Sequence, residues 1–152
     1  MASIYLDTSV VSAYFDSRTP QRQAITQKFW QSIEGMEVVI SRVVLMELRK
    51  TPNSVRRAEM LELVEGLLLV EFDDRIDDLA AAIAKENIVP AAKFEDAQHL
   101  AYAIVNGMDC LVSWNFRHMV NFNTMDRLPV VAAKHSYFKQ LKIVSPQAFS
   151  GG

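Results

Sequence analysis

The stretch Lys93-Phe94-Glu95-Asp96-Ala97-Gln98-His99-Leu100-Ala101-Tyr102-Ala103-Ile104-Val105-Asn106-Gly107-Met108-Asp109-Cys110-Leu111-Val112-Ser113-Trp114-Asn115 predicts a helix, a glycine stop and a buried strand with a polar exit. Ala97, Leu100, Ala101, Ile104 and Val105 recur at helical spacing and make an apolar stripe. Glu95 and Asp96 fall in the first turn, where the helix dipole favours negative charge. Asn106-Gly107 ends the helix, because glycine accepts the left-handed backbone of a C-terminal cap. Cys110-Leu111-Val112 is short, apolar and β-prone, and Trp114-Asn115 leaves it at its carboxyl end. Asp96 and Asn115 therefore lie near one edge of a parallel sheet, the edge where open α/β folds bind ligands.

Outward from this unit, strands and helices alternate. Ile4-Tyr5-Leu6 is a first strand ending at Asp7-Thr8-Ser9, with Thr8 and Ser9 suited to cap a short helix over 10–15. Residues 21–33 place Ile25, Phe29, Trp30 and Ile33 at helical spacing. Residues 37–40 form a second strand, and the helix over 42–50 is mostly apolar, with Glu47 interrupting the run between Met46 and Leu48, before Pro52 stops it. A helix over 54–65, a strand over 67–72 and a helix from Asp73-Asp74 to about residue 87 follow, then a connector over 88–93. Beyond the opening stretch, 130–131 and 143–144 read as edge strands around a last helix over 135–141. The alternation predicts a three-layer α/β/α fold with a mainly parallel central sheet.

With 152 residues and 50% apolar content, residues 1–152 are expected to form a single domain with a real core. Sixteen basic and 18 acidic residues give a formal charge of −2, which argues against a generic basic nucleic-acid surface while leaving room for a local patch. Cys110 is the only cysteine, so no internal disulfide forms, and its place in the strand suits a small core hydrophobe. The first residues carry no basic, apolar leader, and no run approaches the ~20 apolar residues of a membrane span, so a cytoplasmic protein is expected.

Asp7 follows strand one, Glu47 lies in the helix after strand two, Asp96 opens the helix before strand four, and Asn115 follows strand four. Crossover connections bring such positions to one side of a parallel sheet. Converging carboxylates repel, and a bound cation or a raised pKa resolves the repulsion. Oxygen ligands favour Mg2+ or Mn2+, and no cysteine–histidine spacing suggests zinc. No GxGxxG, P-loop or GxSxG motif is present, which weakens dinucleotide, nucleoside-triphosphate and α/β-hydrolase readings.

Tyr5-Leu6-Asp7-Thr8-Ser9, Val44-Leu45-Met46-Glu47-Leu48, Glu95-Asp96-Ala97-Gln98-His99-Leu100-Ala101 and Leu111-Val112-Ser113-Trp114-Asn115, in that order, resemble the PIN domain. The chain is especially similar to bacterial single-domain PIN proteins related to VapC toxins, from residue 4 to about residue 145. The resemblance implies a metal-dependent endoribonuclease that hydrolyses RNA phosphodiester bonds with Mg2+ or Mn2+. Asp7, Glu47 and Asp96 would hold the metal, and Asn115 would complete the catalytic set. Many members carry aspartate at the fourth position. Asn115 can accept from a water or donate to a phosphate oxygen, but it adds no charge.

The same resemblance implies the toxin of a type II toxin–antitoxin pair, with a small antitoxin protein as partner. The apolar helices carrying Phe29, Trp30, Val43 and Leu61 offer a face for a homodimer or an antitoxin segment. Thr8, Ser9, Arg42 and Arg117 are candidate RNA contacts, with Arg49, Lys50, Lys93 and His118 nearby. Glu95 is an alternative acidic ligand or a solvated first-turn residue, and the apolar neighbours of His99 suggest a packed histidine. The competing reading is a PIN-like module that binds RNA or protein without cutting. A phosphatase would want a second aspartate where Ser9 stands.

Overall fold

The computed structural model describes residues 2–149. Its strands are β1 (Ser3–Leu6), β2 (Glu37–Ser41), β3 (Leu68–Val70), β4 (Cys110–Val112) and β5 (Lys142–Val144). All neighbours pair in parallel, in the order β3-β2-β1-β4-β5, with Tyr5 level with Val39 on one side and Leu111 on the other. The chain steps outward from β1 through β2 to β3, then returns to the far side of β1 for β4 and β5. That reversal opens a crevice between the carboxyl ends of β1 and β4.

Alternate strand side chains face two helical layers. Ile4, Leu6, Val38, Ile40, Cys110 and Val112 pack toward α1 (Thr8–Phe15), α2 (Pro20–Ser32) and α4 (Ser54–Val64), among Val10, Phe29 and Met60. Tyr5, Val39 and Leu111 face α5 (Asp74–Lys85), α6 (Phe94–Val105) and α7 (Phe122–Lys134), among Leu79, Leu100 and Leu128. Helix α3 (Arg42–Arg49) straddles the sheet edge, giving Val43 to the second core and Val44 and Leu48 to the first. Its position brings Glu47 to the mouth of the crevice.

Helix α6 is buried almost all round, because it lies between the sheet and α5. Val105, expected on the buried stripe, is only half-buried. Gly107 ends the helix with a φ of +63°, as Asn106-Gly107 predicts. Cys110 is buried, and burial pushes its thiol up to about 11. Native protein is therefore expected to resist thiol reagents at pH 8 until denaturant is added; rapid native labelling would contradict this.

Two expectations near the end of the chain fail. Residues 130–131 are not an edge strand but lie inside α7, and residues 135–141 form no helix. Pro129 sits within α7. Asn121 starts the helix by accepting from the Thr124 amide at 2.8 Å, and Thr124, Leu128, Val131 and Ala132 form one buried face. That burial offsets the amide donor missing at proline. The cap at α1 also differs from expectation. Asp7, not Thr8 or Ser9, is the N-cap residue, and its carboxylate makes no capping bond. No helix among the described residues is long and apolar enough to cross a membrane.

Candidate active site

At the end of β1, Asp7 is 3% exposed. Ser9 Oγ donates to its Oδ1 at 2.6 Å and Ser113 Oγ to its Oδ2 at 2.9 Å. Each hydroxyl in turn accepts a backbone N–H, Ser9 from Trp114 at 2.9 Å and Ser113 from Asn115 at 2.8 Å. These amides fix the direction of the hydroxyl protons, so the ends of β1 and β4 are sewn together through Asp7. Burial pushes the Asp7 carboxyl up, the His99 imidazole and the two hydroxyls pull it back, and the Asp96 charge adds to the rise; the net shift is upward.

Glu47 comes from α3. Its Oε1 accepts from Thr8 Oγ1 at 2.8 Å and lies 2.7 Å from His99 Nε2. Burial alone would raise its pKa, but His99 and Thr8 outweigh it and hold the carboxyl below its ordinary range. His99 is 1% exposed, and its Nδ1 lies 2.7 Å from Tyr5 Oη, which is also 2.7 Å from Ser41 Oγ. The hydroxyls adjust to either charge state of the ring: neutral His99 accepts from Tyr5 at Nδ1, and charged His99 donates there. In both states Nε2–H donates to Glu47.

Asp96 opens α6, and its Oδ2 lies 2.7 Å from His118 Nδ1. The amide of His118 donates to Asn115 Oδ1 at 3.0 Å, so the Asn115 side chain fixes the turn that carries His118. Asn115 Nδ2 makes no hydrogen bond among the described residues, and the residue lines the cleft at the β1/β4 crevice.

Asp7, Thr8, Ser9, Glu47, Asp96, His99 and Asn115 line one open cleft of about 420 Å³ at the β1/β4 crevice. Arg42 and Glu95 do not; they line a neighbouring hollow with Lys50, Gln98 and Phe72, which shares only Glu47 with the cleft. Arg117 is exposed and lines neither. Sequence reasoning missed Ser113, the relay of Ser41 and Tyr5 to His99, and Arg22 on the cleft wall. It also placed His99 in the core alone, whereas the ring reaches the cleft as well. Its one visible signal was a position one helical turn after Asp96.

Three carboxylates, hydroxyls and an amide on one cleft form an oxygen-donor set of the kind that suits a hard divalent cation. Oε2 of Glu47 and Oδ1 of Asp96 take no hydrogen bond among the described residues. As placed, though, no three His, Cys, Asp or Glu side chains among the described residues are gathered as a metal-holding group. The reason is local: each carboxylate is drawn to its own hydroxyl or imidazole partner.

The sequence model of the PIN domain family matches residues 4–118. The chain belongs to the PIN domain family. The match ends before α7 and β5, which here complete one layer and one edge of the PIN sheet. No match is found among curated protein sequences. VapC20 of Mycobacterium tuberculosis, a sarcin-ricin loop cleaving toxin, is similar in structure, with a TM-score of 0.59 at 15% identity over 76% of this chain and 92% of that one. VapBC2 from Rickettsia felis, bound to a DNA fragment from its promoter, is similar with a TM-score of 0.56 at 14% identity, over 93% of this chain and 98% of that one. At such identities the likeness is one of PIN fold.

Proposed function

We propose that this PIN protein is a metal-dependent endoribonuclease acting as the toxin of a type II toxin–antitoxin pair. The observation that carries the reading is the meeting of Asp7, Glu47, Asp96 and Asn115 on one cleft at the switch point of the sheet. Family membership and the VapC neighbours support it. Residues 1–152 are read as one domain, cytoplasmic, homodimeric and paired with a small antitoxin protein.

Asp7, Glu47 and Asp96 are the residues that would hold Mg2+ or Mn2+. When bound, such a cation lowers the pKa of water and offsets negative charge at the scissile phosphate. Hydrolysis forms one P–O bond from water and breaks the ester P–O bond. Asn115 Nδ2 donates to a phosphate oxygen, while Thr8 and Ser9 hold Glu47 and Asp7 in place, since their protons are already directed there. His99 and His118 orient Glu47 and Asp96 from behind.

The test is cleavage of a mixed RNA panel by purified protein, with and without Mg2+ or Mn2+. Metal-dependent cleavage is expected, lost in Asp96→Asn. A folded protein that neither cuts nor binds metal by calorimetry would overturn this reading in favour of the non-cutting RNA- or protein-binding module.

A further inference from the structure

Among the described residues, Arg22 is the only arginine or lysine that lines the cleft holding Asp7, Glu47 and Asp96. Its guanidinium carbon lies 4.6 Å from the centroid of the Trp114 ring and 6.0 Å from that of Phe116. Trp114 is itself locked. Its indole N–H donates to Thr26 Oγ1 at 2.8 Å, and the Thr26 hydroxyl donates to the carbonyl of Arg22 at 2.7 Å. One turn of α2 thus anchors the ring and carries the cation that stacks on it.

Stacking occupies the face of a guanidinium and leaves its in-plane N–H donors free. Arg22 makes no ion pair among the described residues, and Asp16, on the same wall, is engaged by Arg18. The result is a preorganised cation with unused donors on the wall of an otherwise acidic cleft. An anionic strand entering that cleft is repelled by three carboxylates, and a planar fork beside them suits a phosphate with two parallel hydrogen bonds. Arg42 and Lys50 stand in the neighbouring hollow with Glu95 and are not on this wall.

We propose that Arg22, held on Trp114, grips a backbone phosphate of single-stranded RNA next to the bond to be cut. The identity of the strand rests on the ribonuclease reading above. Phe116 is 45% exposed and tilts against Trp114 at 6.1 Å between centroids, which extends the shelf with a ring that can stack a base. Arg22 is a positioning residue: it registers the strand and leaves the chemistry to the carboxylates.

The test compares full-length protein with R22A and R22K on a short oligoribonucleotide across a salt series. R22A is expected to raise KM about tenfold, with a much smaller change in kcat. The slope of log KM against log salt should fall by about 0.7, the loss of one phosphate contact on a single strand. R22K keeps the charge but not the stacked fork, and should fall between the two. Unfolding should hardly change, since Arg22 is exposed. A wild-type KM in R22A, or a raised KM with an unchanged salt slope, overturns the assignment while leaving hydrolysis intact. If wild-type protein cuts no RNA, the hydrolysis reading fails and Arg22 is judged by binding. Its Nε–H NMR signal, assigned by its absence in R22A, should then shift on titration with the same oligonucleotide at low salt; no shift overturns the proposal.

Discussion

Asp7→Asn is expected to lower metal-dependent cleavage on the order of 10³-fold or more while making the metal-free protein harder to unfold at neutral pH. The two effects share one cause. Asp7 is buried, and burial drives its carboxyl upward more than His99, Ser9 and Ser113 draw it down. Folding therefore favours the protonated form. The stabilisation that this gives is full below the unfolded carboxyl pKa of about 4 and is lost as pH rises through the raised folded value. Once the pH passes that raised value, the native state carries a costly buried charge. Asparagine removes the charge and keeps the shape: its amide oxygen accepts from one serine hydroxyl, and its NH2 meets the other once that hydroxyl turns its proton away. Thermal unfolding without metal should show a higher Tm for the variant at pH 7.5, with the gain shrinking toward pH 4.5. Added Mn2+ should raise Tm for wild-type protein alone, because only a state that binds ligand is stabilised by it. Retained cleavage together with a lower Tm at both pH values would remove Asp7 from the site.

His99→Ala should cost about 3 kcal/mol of stability and lower Tm by roughly 10 °C, because it empties a buried volume and strips hydrogen-bond partners. The ring sits between Tyr5 and Glu47, and its loss leaves Thr8 alone on Glu47 Oε1. Glu47 then swings more freely, and cleavage measured well below Tm should fall about tenfold or more, as expected when a supporting partner is lost. His99→Phe separates the two roles. It refills the space without either hydrogen bond, so it should recover much of the stability and little of the rate. A wild-type rate in His99→Phe would show that His99 only packs.

The acidic residues were legible in the sequence because parallel sheets obey a simple rule. Asp7 and Asn115 follow short, β-prone apolar runs that read as buried strands, and adjacent parallel strands must end on the same side. Glu47 showed itself as a charge inside a mostly apolar helix, and Asp96 as an acid in the first turn of the helix that leads into β4. The helix α7 was hidden because Val130-Val131 reads locally as an edge strand, while the burial of Leu128 and Val131 that places them on a helix belongs to the folded core. What surrounds each carboxylate was decided by tertiary structure alone. Ser113 reaches Asp7 across 106 positions of chain, His99 reaches Glu47 across 52 and Trp114 reaches Thr26 across 88. Periodicity and capping patterns reach only a few residues along the chain, whereas hydroxyl, imidazole and guanidinium partners are chosen by whichever strand ends and helix faces the packed sheet brings within 3 Å or stacking range.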